Sequence, residues 1–282
     1  MRFIEFVKAL LLGIVEGITE WLPVSSTGHM IILDNFIKLD VSEAFMELFL
    51  VVIQLGAILA VAVLYFSKLN PFSPSKSREE KRSTLTLWSK VIVGAIPAAI
   101  IGFLLDDFLD THFYNYYTVS VALVVYGILF ILIEYFRKKN NKPFRVETVD
   151  DISYTDALKI GAFQVLSLIP GTSRSGSTML GGISFGISRV ASAEFSFFMA
   201  IPIMLGASGL KLIKFIMEGS TVSGEEIGLL LVGIAVSFLV SLFAIKFLLD
   251  FVKRHDFKPF GIYRIVLGAI VFGYFLVKTL MA

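Results

Sequence analysis

The hydrophobic pattern consists of long apolar runs rather than the short amphipathic stretches of a soluble domain. Because a hydrocarbon core roughly 30 Å thick needs about 20 apolar residues per helix, only runs near that length can cross it. Six runs are long enough, at about residues 44–66, 86–109, 117–136, 190–215, 226–250 and 261–281. The pattern therefore predicts an all-α polytopic membrane protein with six transmembrane helices.

Two further apolar stretches are each broken by a polar segment. The break follows Pro23 within residues 4–37 and Pro170 within residues 155–187. Each arm has about 10–17 residues and would be roughly 15–25 Å long as a helix, too short to cross comfortably. Polar backbone at membrane depth is tolerated only inside the protein or beside a wet cavity. We therefore expect two re-entrant helical hairpins.

Basic residues divide the connections into two kinds. Residues 67–90 and 137–159 each hold six Lys or Arg residues, whereas 38–43, 110–116 and 216–225 together hold only Lys38. Basic connections stay preferentially in the cytoplasm. The first hairpin is then expected to enter the membrane from outside and the second from the cytoplasm.

The two halves of the chain resemble each other. Matched residues are Gly13 with Gly161, Glu16 with Gln164, Thr19 with Ser167, Pro23 with Pro170, Ser26 with Ser173, Gly56 with Gly206, Gly94 with Gly233, and Gly127 with Gly268. Glycine-rich apolar segments align to some extent by chance, but these matches keep their order and include the polar elements. We expect one membrane domain, 1–282, built from two inverted repeats, 1–136 and 155–282, each with one hairpin and three spans. Such repeats place their broken helices, and the site that these form, near the bilayer midplane.

Composition supports the membrane assignment and excludes several kinds of chemistry. Hydrophobic residues make up 56% of the 282 residues and charged residues 17%, whereas soluble domains have about 25% charged residues. The absence of cysteine excludes disulfides and thiolate chemistry, and the three histidines are too scattered for a histidine-only metal site. The net charge of +2, with no basic block, gives no indication of nucleic-acid binding.

Glu16 and Glu20 lie four residues apart, which places both on one face of a helix. An ionised carboxylate at membrane depth costs about 2.5–3.5 kcal/mol on insertion scales, so the pair needs a neutralising partner. We expect a divalent cation site or an acid/base pair, and oxygen ligands favour Mg²⁺ or Ca²⁺ over zinc. The structural alternative is that both glutamates face water near the membrane surface.

A polar run follows Pro23 and opens the second arm of the first hairpin. It consists of Ser25, Ser26, Thr27, Gly28 and His29. A hydroxyl at a helix start can be a simple N-cap, but one cap does not need the whole run. A helix N-terminus with unpaired N–H groups binds anions. His29 adds a general acid or base, or a nucleophile toward phosphorus.

Arg174 stands in the corresponding run of the second hairpin. Its neighbours are Gly171, Thr172, Ser173, Ser175, Gly176, Ser177 and Thr178. Arginine suits bidentate phosphate contact, although a solvent-facing arginine is the structural alternative. If the two runs meet, the glutamates, His29 and Arg174 form a phosphate-handling constellation.

The glutamate pair, the two polar runs and two further residues, Gln164 and Arg264, define the predicted site. We predict catalytic roles for Glu16, Glu20, Ser26, His29 and Arg174. We predict substrate contacts for Ser25, Thr27, Gly28, Gly171, Thr172, Ser173, Ser175, Gly176, Thr178, Gln164 and Arg264. Arg264, in the last span, either reaches inward or extends its charged end to the membrane surface.

The E-x-x-x-E spacing of Glu16 and Glu20, the following WLPVSSTGH and the later PGTSRSGST resemble the motifs of the undecaprenyl-diphosphatase family, also called bacitracin-resistance proteins. The resemblance covers essentially the whole chain. It implies conversion of undecaprenyl diphosphate to undecaprenyl phosphate, which recycles the lipid carrier of cell-wall synthesis in the bacterial cytoplasmic membrane. It also implies a divalent cation, a homodimer and a pocket open to the extracytoplasmic side. The functional residues that it implies are Glu16, Glu20, Ser26, His29, Ser173, Arg174 and Thr178.

The main alternative is a secondary transporter or lipid flippase, because inverted repeats with broken helices are a common transporter architecture. An ion channel is disfavoured, because the polar residues form two focal segments rather than a lined path. Phosphate release in detergent, where transport has no meaning, distinguishes the enzyme from the transporter.

Overall fold

The computed structural model describes residues 2–34 and 36–281, and these form helices with no β-strand. The α-helices are α1 (Arg2–Thr19), α2 (Ser26–Asp34), α3 (Glu43–Leu64), α4 (Phe66–Leu69), α5 (Arg78–Phe113), α6 (Tyr116–Lys139), α7 (Tyr154–Val165), α8 (Arg174–Ser184), α9 (Arg189–Met217), α10 (Gly224–Arg254) and α11 (Lys258–Met281). Short 3₁₀ turns cover Val149–Asp151 and Leu166–Leu168.

Six of the described helices are long and apolar enough to cross a membrane, namely α3, α5, α6, α9, α10 and α11. They overlap the six predicted spans, so the prediction of an all-α polytopic membrane protein is confirmed. The largest difference is at the start of α5, which begins at Arg78 rather than near residue 86. A capping box between Ser77 and Glu80 starts this helix in a polar segment, before the apolar run begins.

The two broken stretches form helix–break–helix units. Helices α1 and α2 flank the first break, and α7 and α8 flank the second. Asn35, within the predicted first hairpin, lies outside the described residues. Helices α1 and α7 are not among the six candidate spans. The re-entrant path of both units through a membrane stays a prediction.

The backbone conformation pairs the residues of the two breaks one position differently from the sequence alignment. Ser25 and Ser173 have φ angles of 75° and 72°, a region that non-glycine residues rarely adopt. The Ser25 hydroxyl accepts a hydrogen bond from the N–H of Gly28, and the Ser173 hydroxyl accepts one from Gly176. Ser173 therefore corresponds to Ser25, not to Ser26 as the sequence alignment paired them. Ser25 and Ser173 are 148 residues apart, as Gly13 and Gly161 are. Between these positions, only the aligned prolines, Pro23 and Pro170, depart from this spacing, by one residue.

In two matching contacts, a helix of one half of the chain packs on a helix of the other half. Helix α1 packs on α10, and a Cβ added to Gly13 would lie 2.9 Å from the Gly233 carbonyl oxygen. Helix α7 packs on α5, and a Cβ added to Gly161 would overlap the Gly94 carbonyl oxygen. Gly13 and Gly161 are matched in sequence, as are Gly233 and Gly94, so the two contacts correspond. This pairing is what a two-fold exchange of the halves requires, while their opposite orientation in the membrane stays a prediction.

Helices α6 and α11 pack closely along their length. A Cβ added to Gly261 would lie 2.6 Å from the Gly127 carbonyl oxygen, and one added to Gly268 would lie 2.9 Å from the Ser120 carbonyl oxygen. Both glycines permit a backbone approach that a larger residue would prevent. These two contacts, two turns apart, fix the depth of α11 relative to α6.

A buried aromatic cluster supports the first break from one side. Phe195, Phe197 and Phe198 of α9 are fully buried, as is Trp21, which follows α1. The Trp21 and Phe197 rings meet edge to face at 5.2 Å. Aromatic pairs of this geometry add to the energy of burial, so the cluster holds the break against the N-terminal half of α9.

Candidate active site between the two tips

We call residues 20–29 the first tip and residues 169–178 the second tip. They meet at Glu20, whose side chain is only 6% exposed. The Arg174 Nε and Nη2 atoms donate to Glu20 Oε1 at 3.2 and 3.0 Å. Ser26 Oγ donates to Glu20 Oε2 at 3.4 Å. One carboxylate thus accepts hydrogen bonds from both halves of the chain, and three of the predicted catalytic residues come together.

The Arg174 guanidinium is held from a second direction by α9. Its Nη1 donates to the Ser196 carbonyl oxygen at 2.9 Å, and the Thr178 hydroxyl donates to Ser196 Oγ at 2.7 Å. An arginine side chain has five N–H donors. The contacts to Glu20 and Ser196 use three of them, so up to two remain for an anionic ligand. The guanidinium is therefore oriented before any ligand arrives.

Glu16 lies one helical turn before Glu20 and is only 2% exposed. Its Oε1 atom is buried and has no hydrogen-bond partner among the described residues. Two carboxylates beside one guanidinium leave excess negative charge, which is costly in a buried place. No cluster of three or more His, Asp or Glu side chains suited to a metal occurs in the described part of the chain. The pair fits a cation that completes its ligand shell with phosphate oxygens and water, as Mg²⁺ does.

The serine hydroxyls of the two tips have two roles: some cap a helix, and others contact further residues of the site. Ser25 and Ser173 cap the N–H groups of the two short helices, so the structural alternative of an N-cap applies to these two. Ser26 points instead to Glu20. The Ser175 hydroxyl donates across the tips to the Leu22 carbonyl oxygen at 3.2 Å. The strained backbone at both capping serines lies at this junction, and strain of this kind is frequent at functional sites.

The hydrogen bonds of His29 go to residues other than Glu20 and Arg174. Its Nδ1 lies 2.7 Å from the Ser25 carbonyl oxygen, and its Nε2 lies 2.7 Å from the Tyr263 hydroxyl of α11. The structure therefore joins Glu20, Ser26 and Arg174 by hydrogen bonds, buries Glu16 one helical turn before Glu20, and gives His29 other partners.

Arg264 is fully buried and connects the two tips. Its Nη1 donates to the Pro23 carbonyl oxygen at 3.2 Å, and its Nη2 donates to the Gly171 and Thr172 carbonyl oxygens, both at 2.9 Å. Of the two orientations left open by the sequence, the inward one is found. A direct contact between Arg264 and substrate stays a prediction, whereas its bridge between the tips is visible in the structure.

The remaining predicted residues lie in or near the tips. Gln164 of α7 is buried, and neither of its amide atoms has a partner among the described residues. The Thr172 hydroxyl is likewise buried with no partner in the described part of the chain. Gly171 has φ +90°, and an added Cβ there would lie 2.7 Å from the Val119 carbonyl oxygen. Thr27, Gly28 and Gly176 lie on the first turns of α2 and α8.

Three contact residues were not singled out from the sequence. Ser196 fixes Arg174, Tyr263 contacts His29, and the Trp21 ring lies 5.9 Å from the Arg174 guanidinium. Tyr263 and Ser196 lie in membrane spans that contain other polar residues, so neither stands out in the sequence. Trp21 could have been found from its place between Glu20 and the proline.

Comparison with known proteins identifies close relatives. The profile of the family described as bacitracin resistance protein BacA matches residues 9–270. The chain is 59% identical to the undecaprenyl-diphosphatase of Enterococcus faecalis, over 98% of this chain and 99% of the relative. It is 55% identical to the undecaprenyl-diphosphatase of Desulfitobacterium hafniense over the full length of both chains. The undecaprenyl-diphosphatase of Streptococcus thermophilus is 53% identical over 98% of this chain and 96% of its own.

Proposed function

The chain belongs to the BacA family of bacitracin resistance proteins, and on that premise we propose that it hydrolyses undecaprenyl diphosphate between its two tips. The reaction releases undecaprenyl phosphate and inorganic phosphate, and it returns the lipid carrier to cell-wall synthesis. The observation that carries this assignment of the site is the contact between Glu20 and Arg174. It brings a carboxylate, a guanidinium and two helix N-termini to one buried place.

The substrate has a long apolar tail and an anionic head group, so its two parts favour different surroundings. The tail stays in the lipid against the apolar faces of the spans. The diphosphate is attracted to Arg174 and to the N-terminal N–H groups of α2 and α8, which carry positive partial charge. Glu20 and Ser196 hold the guanidinium in place, so it is already oriented when the substrate binds.

Glu16 and Glu20 are the residues that would hold the divalent cation, Mg²⁺ or Ca²⁺. The unpartnered Oε1 of Glu16 supports this assignment. When bound, the cation supplies positive charge that stabilises the phosphate oxygens during phosphoryl transfer. Chelation is expected to abolish phosphate release, and Mg²⁺ or Ca²⁺ is expected to restore it. Full activity after exhaustive chelation would refute the cation assignment.

The chain offers three sources for the attacking group, namely Ser26, His29 and a water molecule. Ser26 donates to Glu20, so its hydroxyl proton has an acceptor at 3.4 Å. His29 can attack the terminal phosphorus itself, which releases undecaprenyl phosphate and leaves a phosphohistidine for water to hydrolyse, or it can remove the proton from an attacking water. Ser26→Ala and His29→Ala distinguish attack by Ser26 from the two routes that use His29, because only loss of the attacking group or its base should stop turnover.

Phosphate release by purified protein in detergent tests the proposed function. Wild type should release phosphate from undecaprenyl diphosphate, and Glu16→Ala, Glu20→Ala and Arg174→Ala should release far less. Glu47→Gln is the control, because Glu47 is an exposed partner of Lys211 and belongs to neither tip. Near-normal release by all three site variants would overturn the assignment. The relatives reported above are named as phosphatases, so the transporter alternative gains no support.

The protein is a multi-pass membrane protein, and we propose that it lies in the bacterial cytoplasmic membrane with its site open to the extracytoplasmic side. The basic connections 67–90 and 137–159 support this orientation. Because the chain has no cysteine, single cysteines can report exposure. An impermeant thiol reagent added to intact cells should label Thr27→Cys but not Ser83→Cys. The reverse pattern would refute this orientation.

We also propose that the protein is a homodimer, as the family resemblance implies. The protein mass measured in detergent should then be twice 31.3 kDa. A protein mass of a single chain at all concentrations would refute the dimer.

A further inference from the structure

The His29 imidazole is held at both ring nitrogens. Nδ1 lies 2.7 Å from the Ser25 carbonyl oxygen, and Nε2 lies 2.7 Å from the Tyr263 hydroxyl. The Tyr263 ring also stacks on the imidazole, with centroids 5.6 Å apart and planes inclined by 11°. Two hydrogen bonds and one stacking contact therefore fix both the position and the plane of the ring.

These partners also determine which nitrogen carries the proton in the neutral ring. A carbonyl oxygen only accepts hydrogen bonds, so Nδ1 must donate to Ser25. In the neutral ring Nε2 then carries the lone pair. The Tyr263 hydroxyl must consequently donate to Nε2. The geometry selects Nε2 as the basic and nucleophilic atom of His29.

Tyr263 is placed by the helical framework rather than by a loop. It lies on α11 between Gly261 and Gly268, two positions at which α11 meets the backbone of α6. The next residue, Arg264, binds carbonyl groups of both tips. The side chain of Tyr263 is nevertheless 47% exposed, so its hydroxyl can leave Nε2 without disturbing the buried core.

We propose that Tyr263 is a positioning residue for the hydrolysis, which holds the His29 imidazole, kept protonated at Nδ1 by the Ser25 carbonyl, with its Nε2 lone pair directed for the reaction. The hydroxyl occupies Nε2 in the resting protein and moves aside when the diphosphate reaches the tips. This role rests on the proposed function, because it gives His29 a part in phosphate release. It adds a residue of α11 that sequence motifs in the two tips do not contain.

Tyr263→Phe tests this role, because it keeps the stacked ring and removes only the hydroxyl. One hydrogen bond that orients a neutral group corresponds to a loss of about threefold to tenfold in kcat. KM for undecaprenyl diphosphate should stay within about twofold, because the hydroxyl acts on His29 and does not hold the substrate. In a background of His29→Gln, the second substitution should cause no further loss. Tyr274→Phe on the same helix is the matched control and should leave kcat unchanged.

Nitrogen NMR of ¹⁵N-histidine-labelled protein gives a readout that does not depend on activity. The chain has three histidines, so the His29 signals are identified by their loss in His29→Gln. Wild type should show His29 as a single Nδ1-protonated form, and Tyr263→Phe should shift the Nε2 signal. The result for Tyr274→Phe should match wild type.

Three outcomes would overturn this role for Tyr263. They are an unchanged kcat in Tyr263→Phe, a rise in KM without a fall in kcat, and a wild-type His29 protonated at Nε2 alone. A wild-type protein that releases no phosphate would instead refute the proposed function, while the NMR spectra would still test whether Tyr263 holds His29. The two failures are therefore distinguishable.

Discussion

Replacing Arg264 should separate the two tips. Arg264→Met keeps a long apolar side chain but removes the donors to three buried carbonyl groups, those of Pro23, Gly171 and Thr172. A buried acceptor without a partner costs about 1–3 kcal/mol, so three of them cost about 3–9 kcal/mol if none is rescued. Water that enters the gap rescues part of this, which makes about 3 kcal/mol the expected loss of unfolding free energy.

The loss can be measured by thermal unfolding in detergent together with phosphate release. Arg264→Met should unfold at a lower temperature and lose most of its kcat, because Arg174 and Glu20 are no longer held together. Arg264→Lys should lie between wild type and Arg264→Met, since an ammonium group reaches fewer of the carbonyl oxygens than the planar guanidinium. Lys278→Met, near the end of the same helix, is the control. If Arg264→Met matched wild type in both measurements, the bridge between the tips would have no energetic importance.

Two further predictions concern helix packing and a buried ion pair. Gly161→Ala should destabilise the protein by about 1–3 kcal/mol, because the new methyl group meets the backbone of α5. Gly206→Ala in α9 is the control and should be neutral in thermal unfolding, because nothing lies within 4 Å of a Cβ added there. Glu134→Gln weakens the paired contact with Arg189 and should lower stability by about 3 kcal/mol while leaving kcat of the folded protein unchanged; an unchanged unfolding temperature would refute this.

The spans were predictable because about 20 apolar residues in a row have few other structural solutions. The positions of Pro23 and Pro170 also marked both breaks correctly. The pairing of residues between the two breaks was harder to predict from the sequence. Ser26 and Ser173 match as letters, but the backbone at the tips pairs Ser173 with Ser25. The sequence shows only residue types, whereas the φ angle that distinguishes Ser25 from Ser26 appears only in the structure.

The candidate site shows the same division between residue type and contact. Charged residues in apolar segments identified Glu16, Glu20 and Arg174 as candidates, because burial of such groups requires a partner. The bridge by Arg264 could not be predicted in detail, since its acceptors are backbone carbonyls that leave no mark in the sequence. The contact of Tyr263 with His29 joins residues 234 positions apart and follows no local periodicity.

The most direct test of the central claim is a double-mutant cycle on Glu20 and Arg174, read as kcat/KM for phosphate release from undecaprenyl diphosphate. The variants are Glu20→Ala, Arg174→Ala and the double variant. Because the two side chains form one contact between the tips, each single substitution should lose most of the activity and the double variant should be no worse than the poorer single variant. Independent losses that multiply in the double variant, or single variants with wild-type activity, would contradict a reaction between the two tips.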